Sequence, residues 1–340
     1  MMSVDRSCRL NNREHRRIAR DARGFTLIEL LVCIAIASLL LSLVGAALMS
    51  ARESSRRMQC SSHLKQVGIA AQAYEASHGK LPCSGLLGFR YLSANLEGLP
   101  GSWDLQGFFD PCLSGPCPEM GEWKRPPVYL CPSDPISATT RRSMSFRFCS
   151  GLSPINGAVG VSDGVGLGDI TEDHVIGFRN ITDGLSTTAM ASEQLLPVSA
   201  TATSLVEFLQ APSSAQRDPL RFHWEIPLEY DLPSQLAEFL SSCDTEFDQP
   251  KNHRAGRPFS ERIAAYDHVR SPNTRSCYNA TQMGASLAGG PFSPATSLHR
   301  NGVNLLLCDG SVRQIQNGID LRVWHSLGTR NGSESLQLSD

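Results

Sequence analysis

Apolar and polar positions divide the chain into stretches of different character. From Phe25 to Met49 a single charged side chain, Glu29, interrupts a run of Leu, Ile, Val, Ala and small residues. About 20 such residues suffice to cross a bilayer as a helix, and this run is longer. Beyond Met49 the pattern changes. Cys60, Leu64, Val67, Ala71, Tyr74 and His78 recur at steps of four and three, with Arg57, Ser61, Lys65, Gln66, Gln72 and Glu75 between them. That spacing marks one face of an amphipathic helix. No proline occurs from Phe25 to Gly79, and Gly79 is a natural stop ahead of Leu81-Pro82. The pattern predicts one helix of about 54 residues, roughly 80 Å long at 1.5 Å per residue, with its first half in lipid and its second half packed on a globular head.

The remainder reads as short strands and loops. Val128 to Cys131 reads as a strand ended by a proline turn, and Met144, Phe146 and Phe148 alternate with Ser145, Arg147 and Cys149 as a half-buried strand. Val175 to Phe178 and Thr188 to Glu193 read as strands, with Asp183-Gly184 turning between elements. Val303 to Cys308, the pair Asp309-Gly310 and Ser311 to Gln316 predict a hairpin, because glycine takes the positive φ that a type I′ turn needs. Leu321, Val323, Trp324 and Leu327 suggest a short closing helix. Leu86 to Pro127 is rich in Gly and Pro, and Gly157 to Gly168 holds five glycines, so both read as loops. From Pro197 to about Gly290 only a helix near Gln235–Ser241 stands out. The fold class expected is α+β, one long N-terminal helix on an antiparallel-sheet head that occupies 80–340.

Charge adds a direction. Met1 to Gly24 carries seven arginines against Asp5, Glu14 and Asp21, so its removal takes the formal charge from −2 to −6. Arginines ahead of an apolar span predict that residues 1–24 stay cytoplasmic and the head is exported. A mildly acidic remainder gives no sign of nucleic-acid binding. A secretory signal would be cut after its apolar region, and Gly45-Ala46-Ala47 offers such a place, which would release a soluble protein.

The junction Gly24-Phe25-Thr26-Leu27-Ile28-Glu29-Leu30-Leu31-Val32 resembles the leader junction of type IV prepilins and type II secretion pseudopilins. The resemblance implies cleavage after Gly24 by a prepilin peptidase, N-methylation of Phe25, and a transmembrane helix over 25–49 continued by an amphipathic one over 50–79. It also implies that Glu29 meets a neighbour's N-terminal amine during assembly. A carboxylate in a membrane span is costly and normally has a partner; the alternative is that Glu29 snorkels to the interface. Four further blocks are similar to a large bacterial group of pilin-like proteins with a C-terminal domain of unknown function. They are Cys60 to Ala70, Cys131-Pro132-Ser133-Asp134-Pro135, Ile181 to Thr188 ending in Glu193, and His299 to Gly310. Where that group has His-Pro-Gly-Gly, this chain has His299-Arg300-Asn301-Gly302. The implied protein is a pseudopilin-like structural or secretion-associated subunit in the inner membrane. It is single-pass, displays its head to the periplasm or cell surface, and partners a prepilin peptidase and other pilin-like subunits. A non-polymerising surface adhesion protein and a membrane-tethered hydrolase are the alternatives.

Candidate chemistry is sparse. Of eleven cysteines, nine lie beyond the leader and the span, in a compartment where disulfides persist. Cys112 and Cys117 make a plausible local pair, and Cys243 with Cys277 a second. Zinc sites favour Cys-x2-Cys pairs or clustered histidines, and neither is present, so no metal site is expected. Asp163, Asp169, Glu172 and Asp173 could hold calcium, although a solvated acidic loop explains them as well. His299, Asp309 and Gly310 form a signature of unknown role, read either as a site or as a strand cap and a turn. No nucleophile elbow, Walker motif, His-Glu-x-x-His or dinucleotide fingerprint occurs, and no enzyme is expected.

Overall fold

A computed structural model describes residues 25–82, 126–138, 144–152, 163–165, 176–196, 218–226, 240–244, 257–258, 265–278 and 292–332, with a few isolated positions between. Helix α1 runs unbroken from Leu27 to His78, 52 residues. It ends where expected: Gly79 takes φ 70°, and its N–H reaches back to the Glu75 carbonyl at 2.7 Å, a left-handed helix cap. The chain divides into two compact units, Met1–Ala51 and Arg52–Asp340. In the first, the large apolar side chains of α1 from Leu27 to Met49 are all exposed, and this stretch is long and apolar enough to cross a membrane.

The second unit holds strands β1 (Phe146–Cys149), β2 (Ala189–Glu193), β3 (Phe222–Glu225), β4 (Arg257–Pro258), β5 (Ala265–Tyr266), β6 (Ser276–Tyr278), β7 (Gly302–Leu307) and β8 (Val312–Gln316), then helix α2 (Leu321–Gly328). They form a sheet in the order β5-β1-β2-β7-β8 and a smaller one in the order β4-β3-β6. The expected antiparallel ladder runs through β1, β2, β7 and β8. The sheets are nonetheless mixed, because β5 joins β1 and β6 joins β3 in parallel.

The main sheet is covered on both faces. Leu64, Val67, Ala71 and Tyr74 of α1 share one core with Phe146, Phe148, Met190 and Leu306. Cys149, Val303, Leu305 and Leu307 share another with Trp324 and Leu327 of α2. Successive strand residues point to opposite faces, so a strand covered on both sides is mostly apolar, and any polar residue in it must find a partner. This is why Val303 and Leu305 to Leu307 are apolar, with buried Asn304 bonded to Glu193 between them, and why β1 is buried at every position, Arg147 included, rather than half-buried.

Three local expectations are corrected. Pro127–Tyr129 is a 3-10 turn and not a strand, since the Pro126-Pro127 pair has no N–H to give a ladder and the Leu130 N–H turns back to the Pro127 carbonyl at 3.0 Å. Phe178–Asn180 is also a 3-10 turn, closed by Asn180 Oδ1 accepting from the Gly177 N–H at 2.9 Å. The β7–β8 hairpin forms, but only Gly310 takes a positive φ, 82°, while the Leu307 carbonyl accepts the Gly310 N–H. That is a wider turn than type I′, with glycine at the left-handed position. Glu238 and residues 240–244 are helical, overlapping the expected segment and running slightly past it. Cys243 and Cys277 form a disulfide, the second of the two pairs considered, whereas Cys112 and Cys117 lie outside the described residues.

Gly68 sets how closely α1 approaches the sheet. A Cβ there would lie 2.8 Å from Leu306 Cδ1 and 3.5 Å from the Gly310 Cα. Gly68→Val therefore pushes the helix off β7, with an expected loss of about 1–3 kcal/mol from overpacking, read as a lower denaturant midpoint at unchanged slope.

Candidate functional site

Two places in the chain concentrate chemistry. The first is the start of α1. Thr26 Oγ1 accepts the Glu29 N–H at 3.3 Å, while Glu29 Oε2 accepts from the Thr26 N–H at 2.9 Å and from Thr26 Oγ1 at 2.8 Å. This is a capping box, in which residue and partner satisfy each other's free donors at a helix start. Thr-x-x-Glu was available in the sequence as its signature. The intramembrane carboxylate thus has a partner in its own chain, and Phe25 just ahead of it is 71 % exposed. Gly24 lies outside the described residues.

The second place is inside the Arg52–Asp340 unit. Cys60 on α1, Cys131 after the first 3-10 turn, Glu193 at the end of β2 and His299 ahead of β7 bring one donor atom each to within 4.8 Å of one another, and all four residues are buried. Cys131 Sγ lies 3.4 Å from His299 Nε2, which is 3.2 Å from Glu193 Oε1, and Cys60 Sγ lies 2.5 Å from the same oxygen. Each member is held from behind. His299 Nδ1 faces Glu53 Oε1 at 3.0 Å, and Glu53 is itself fixed by Ser133 Oγ at 3.0 Å and Arg56 Nη2 at 2.7 Å. Glu193 accepts from the Asn304 N–H at 3.0 Å and from Asn304 Nδ2 at 2.8 Å.

Charge follows from these contacts. Burial alone works against an imidazolium at His299, but Cys131 and Glu193 outweigh it and push its pKa up to about 11. Burial likewise disfavours the Glu193 carboxylate, yet His299, Cys60 and Asn304 hold its pKa below the ordinary range. Burial first, then the neighbouring Cys131 and Glu193, raise Cys60 far above an ordinary thiol. Cys131 moves the other way, because Cys60 and His299 hydrogen-bond its thiolate more strongly than burial opposes it. The quartet therefore combines two sulfur donors, an imidazole nitrogen and a carboxylate in a place without competing solvent, a donor set able to hold a transition metal.

The signature His299, Asp309, Gly310 separates. His299 enters the quartet and is not a strand cap. Asp309 is exposed and accepts from Ser311 N–H at 2.8 Å and Ser311 Oγ at 2.6 Å, so it is the turn residue, with Gly310 beside it at positive φ. Of the acidic residues considered for calcium, Asp163 Oδ1 accepts the Leu152 N–H at 3.0 Å and so braces a loop; Asp169, Glu172 and Asp173 lie outside the described residues.

A family model described as a protein of unknown function (DUF1559) matches residues 49–322. The chain belongs to this family. In this DUF1559 chain a second model, the prokaryotic N-terminal methylation motif, matches residues 19–45, which contain Gly24, Phe25 and Glu29. With the exposed apolar helix that follows, the motif makes this a type IV pilin-like protein with a single-pass membrane anchor. The motif implies processing by a prepilin peptidase and assembly with other pilin-like subunits. No curated protein and no solved structure matches the chain. The DUF1559 match spans all four members of the quartet. Sequence spacing did not reveal that quartet because Cys60 and Glu193 are 133 positions apart and Cys131 and His299 168.

Proposed function

We propose that this DUF1559 protein is a pseudopilin-like subunit of a secretion or pilus-type machine. Prepilin peptidase cuts it after Gly24 and methylates Phe25, it stays anchored in the inner membrane, and it displays its head on the exported side as a structural or binding element rather than an enzyme. The observation that carries the reading is the methylation-motif match at residues 19–45 running directly into an exposed apolar helix that opens on Glu29.

The capping box makes a clean test possible. Glu29→Gln keeps a side chain that can close the box but removes the charge, whereas Glu29→Leu removes both. If the carboxylate meets a neighbouring subunit's amine, both variants insert and are cleaved to an N-methylated Phe25 by mass spectrometry, yet cross-linked multimers disappear in both. Multimers that survive in Glu29→Gln and are lost in Glu29→Leu would make Glu29 a helix cap only. Multimers absent from the wild-type membrane would favour the non-polymerising surface protein.

A further inference from the structure

The separations in the buried quartet have the scale of a coordination sphere. With bonds of about 2.3 Å to sulfur and about 2.0–2.2 Å to nitrogen and oxygen, a tetrahedral zinc places its ligand atoms roughly 3.2–3.8 Å apart. The pairs Cys131–His299 at 3.4 Å and His299–Glu193 at 3.2 Å already meet that spacing. Cys60 and Glu193, at 2.5 Å, would open by about 1 Å once both point at a shared ion.

The surroundings fit the same reading. A metal-bound histidine almost always gives its other ring N–H to a carboxylate or carbonyl, which fixes the tautomer and the ring plane. His299 does this with Glu53, which in turn is held by Ser133 and Arg56. The carboxylate ligand is also expected to be hydrogen-bonded from behind, and Glu193 takes two bonds from Asn304. Among the described residues this is the group of His, Cys, Asp and Glu side chains with such a convergence.

We propose that Cys60, Cys131, Glu193 and His299 coordinate one zinc ion in a closed, structural site that ties helix α1 to the sheet. Two thiolates and an imidazole select a borderline or soft ion over calcium or magnesium, which take oxygen donors. Four protein ligands fill a tetrahedron and leave no open position. Binding expels the protons of both thiols and the Nε2 proton of His299 to solvent, leaving three anionic ligands, one neutral imidazole and the dication. The four ligands come from α1, the loop before β1, the end of β2 and the approach to β7, so the ion would cross-link segments that no local motif connects.

The test uses the full chain purified in mild detergent without chelator. Metal analysis is expected to find about one zinc per chain, and X-ray absorption two sulfur and two nitrogen or oxygen neighbours. Cobalt exchanged into the site should give thiolate-to-metal charge-transfer absorption. Cys131→Ser and His299→Gln should each lower zinc affinity at least about 10-fold, and Glu53→Gln, which reaches the quartet through the back of His299 and keeps a side chain able to accept from Ser133 and Arg56, should weaken it by about 10-fold with the fold retained. Zinc content near zero, with no uptake after reduction and refolding in zinc, would overturn the proposal. So would non-reducing peptide mapping that finds Cys60 and Cys131 joined as a disulfide, or an absorption spectrum with no sulfur neighbours. Because the spectroscopy is done on the unmutated protein, a variant that fails to fold does not decide the matter.

Discussion

Asp134→Ala is expected to lower the stability of the Arg52–Asp340 unit by about 3–5 kcal/mol, the cost of stranding a buried charge. Asp134 and Arg221 form a bidentate pair, Nη2 to Oδ1 at 2.8 Å and Nη1 to Oδ2 at 2.9 Å, with side chains 3 % and 0 % exposed. The same carboxylate accepts the Ile136 N–H at 3.0 Å and the Leu196 N–H at 2.9 Å. It therefore fastens the loop after Cys131 and the exit of β2 to the chain entering β3. Without Asp134, the guanidinium retains the Leu196 carbonyl at 2.8 Å as its contact from that side. The reverse change leaves a milder defect: in Arg221→Met the carboxylate still has two backbone donors and can be partly satisfied. Denaturant unfolding of the full chain in detergent, followed by tryptophan fluorescence, should rank Asp134→Ala well below Arg221→Met. Equal midpoints for the two variants would mean the pair contributes through packing alone.

Trp324→Ala should cost a similar amount, about 3–5 kcal/mol, because it opens a large cavity under the sheet. Trp324 is fully buried, gives its indole N–H to the Arg270 carbonyl at 2.8 Å, and stacks on His268 with ring centroids 3.7 Å apart. His268 is neutral in the folded protein, since burial pushes its pKa down to about 3. A neutral ring protonated at Nδ1 satisfies both contacts: it donates to the Trp324 carbonyl at 2.6 Å and accepts from Tyr266 Oη at Nε2 at 2.9 Å. A histidine with a depressed folded pKa stabilises the fold fully above its ordinary value near 6.5, and that contribution is lost as pH falls toward 3. Admitting water beside His268 relaxes the depression, so the destabilisation by Trp324→Ala should be largest at pH 7 and shrink by pH 4.5. His223, also held at about 3 by burial, and Asp267, raised to about 7 by burial, titrate in both proteins and cancel in the comparison. Thermal melts by circular dichroism at the two pH values measure the difference. A destabilisation that grows on acidification would contradict the assignment of His268 as neutral.

Local pattern carried a large part of this architecture. The 52 residues of α1, its stop at Gly79, the β7–β8 hairpin and the closing helix follow from spacings of two to four positions, which a single sequence displays openly. The strand misreadings have a local cause as well. Val128 to Leu130 and Val175 to Phe178 have strand-like composition, but prolines in one and Asn180 in the other supply turn bonds that composition does not weigh. The disulfide between Cys243 and Cys277 was one pairing among several until the fold brought the two together.

By itself the sequence determined the anchor and its processing motif, because bilayer thickness and helix periodicity act on neighbouring residues and leave their mark in order along the chain. Only the tertiary structure decided that Cys60, Cys131, Glu193 and His299 share one buried point, and that Glu53 and Asn304 stand behind them. Those residues arrive from strands, loops and a helix separated by up to 246 positions. Their meeting depends on how the long helix crosses the sheet at Gly68 and Leu306, a packing distance that no periodicity encodes.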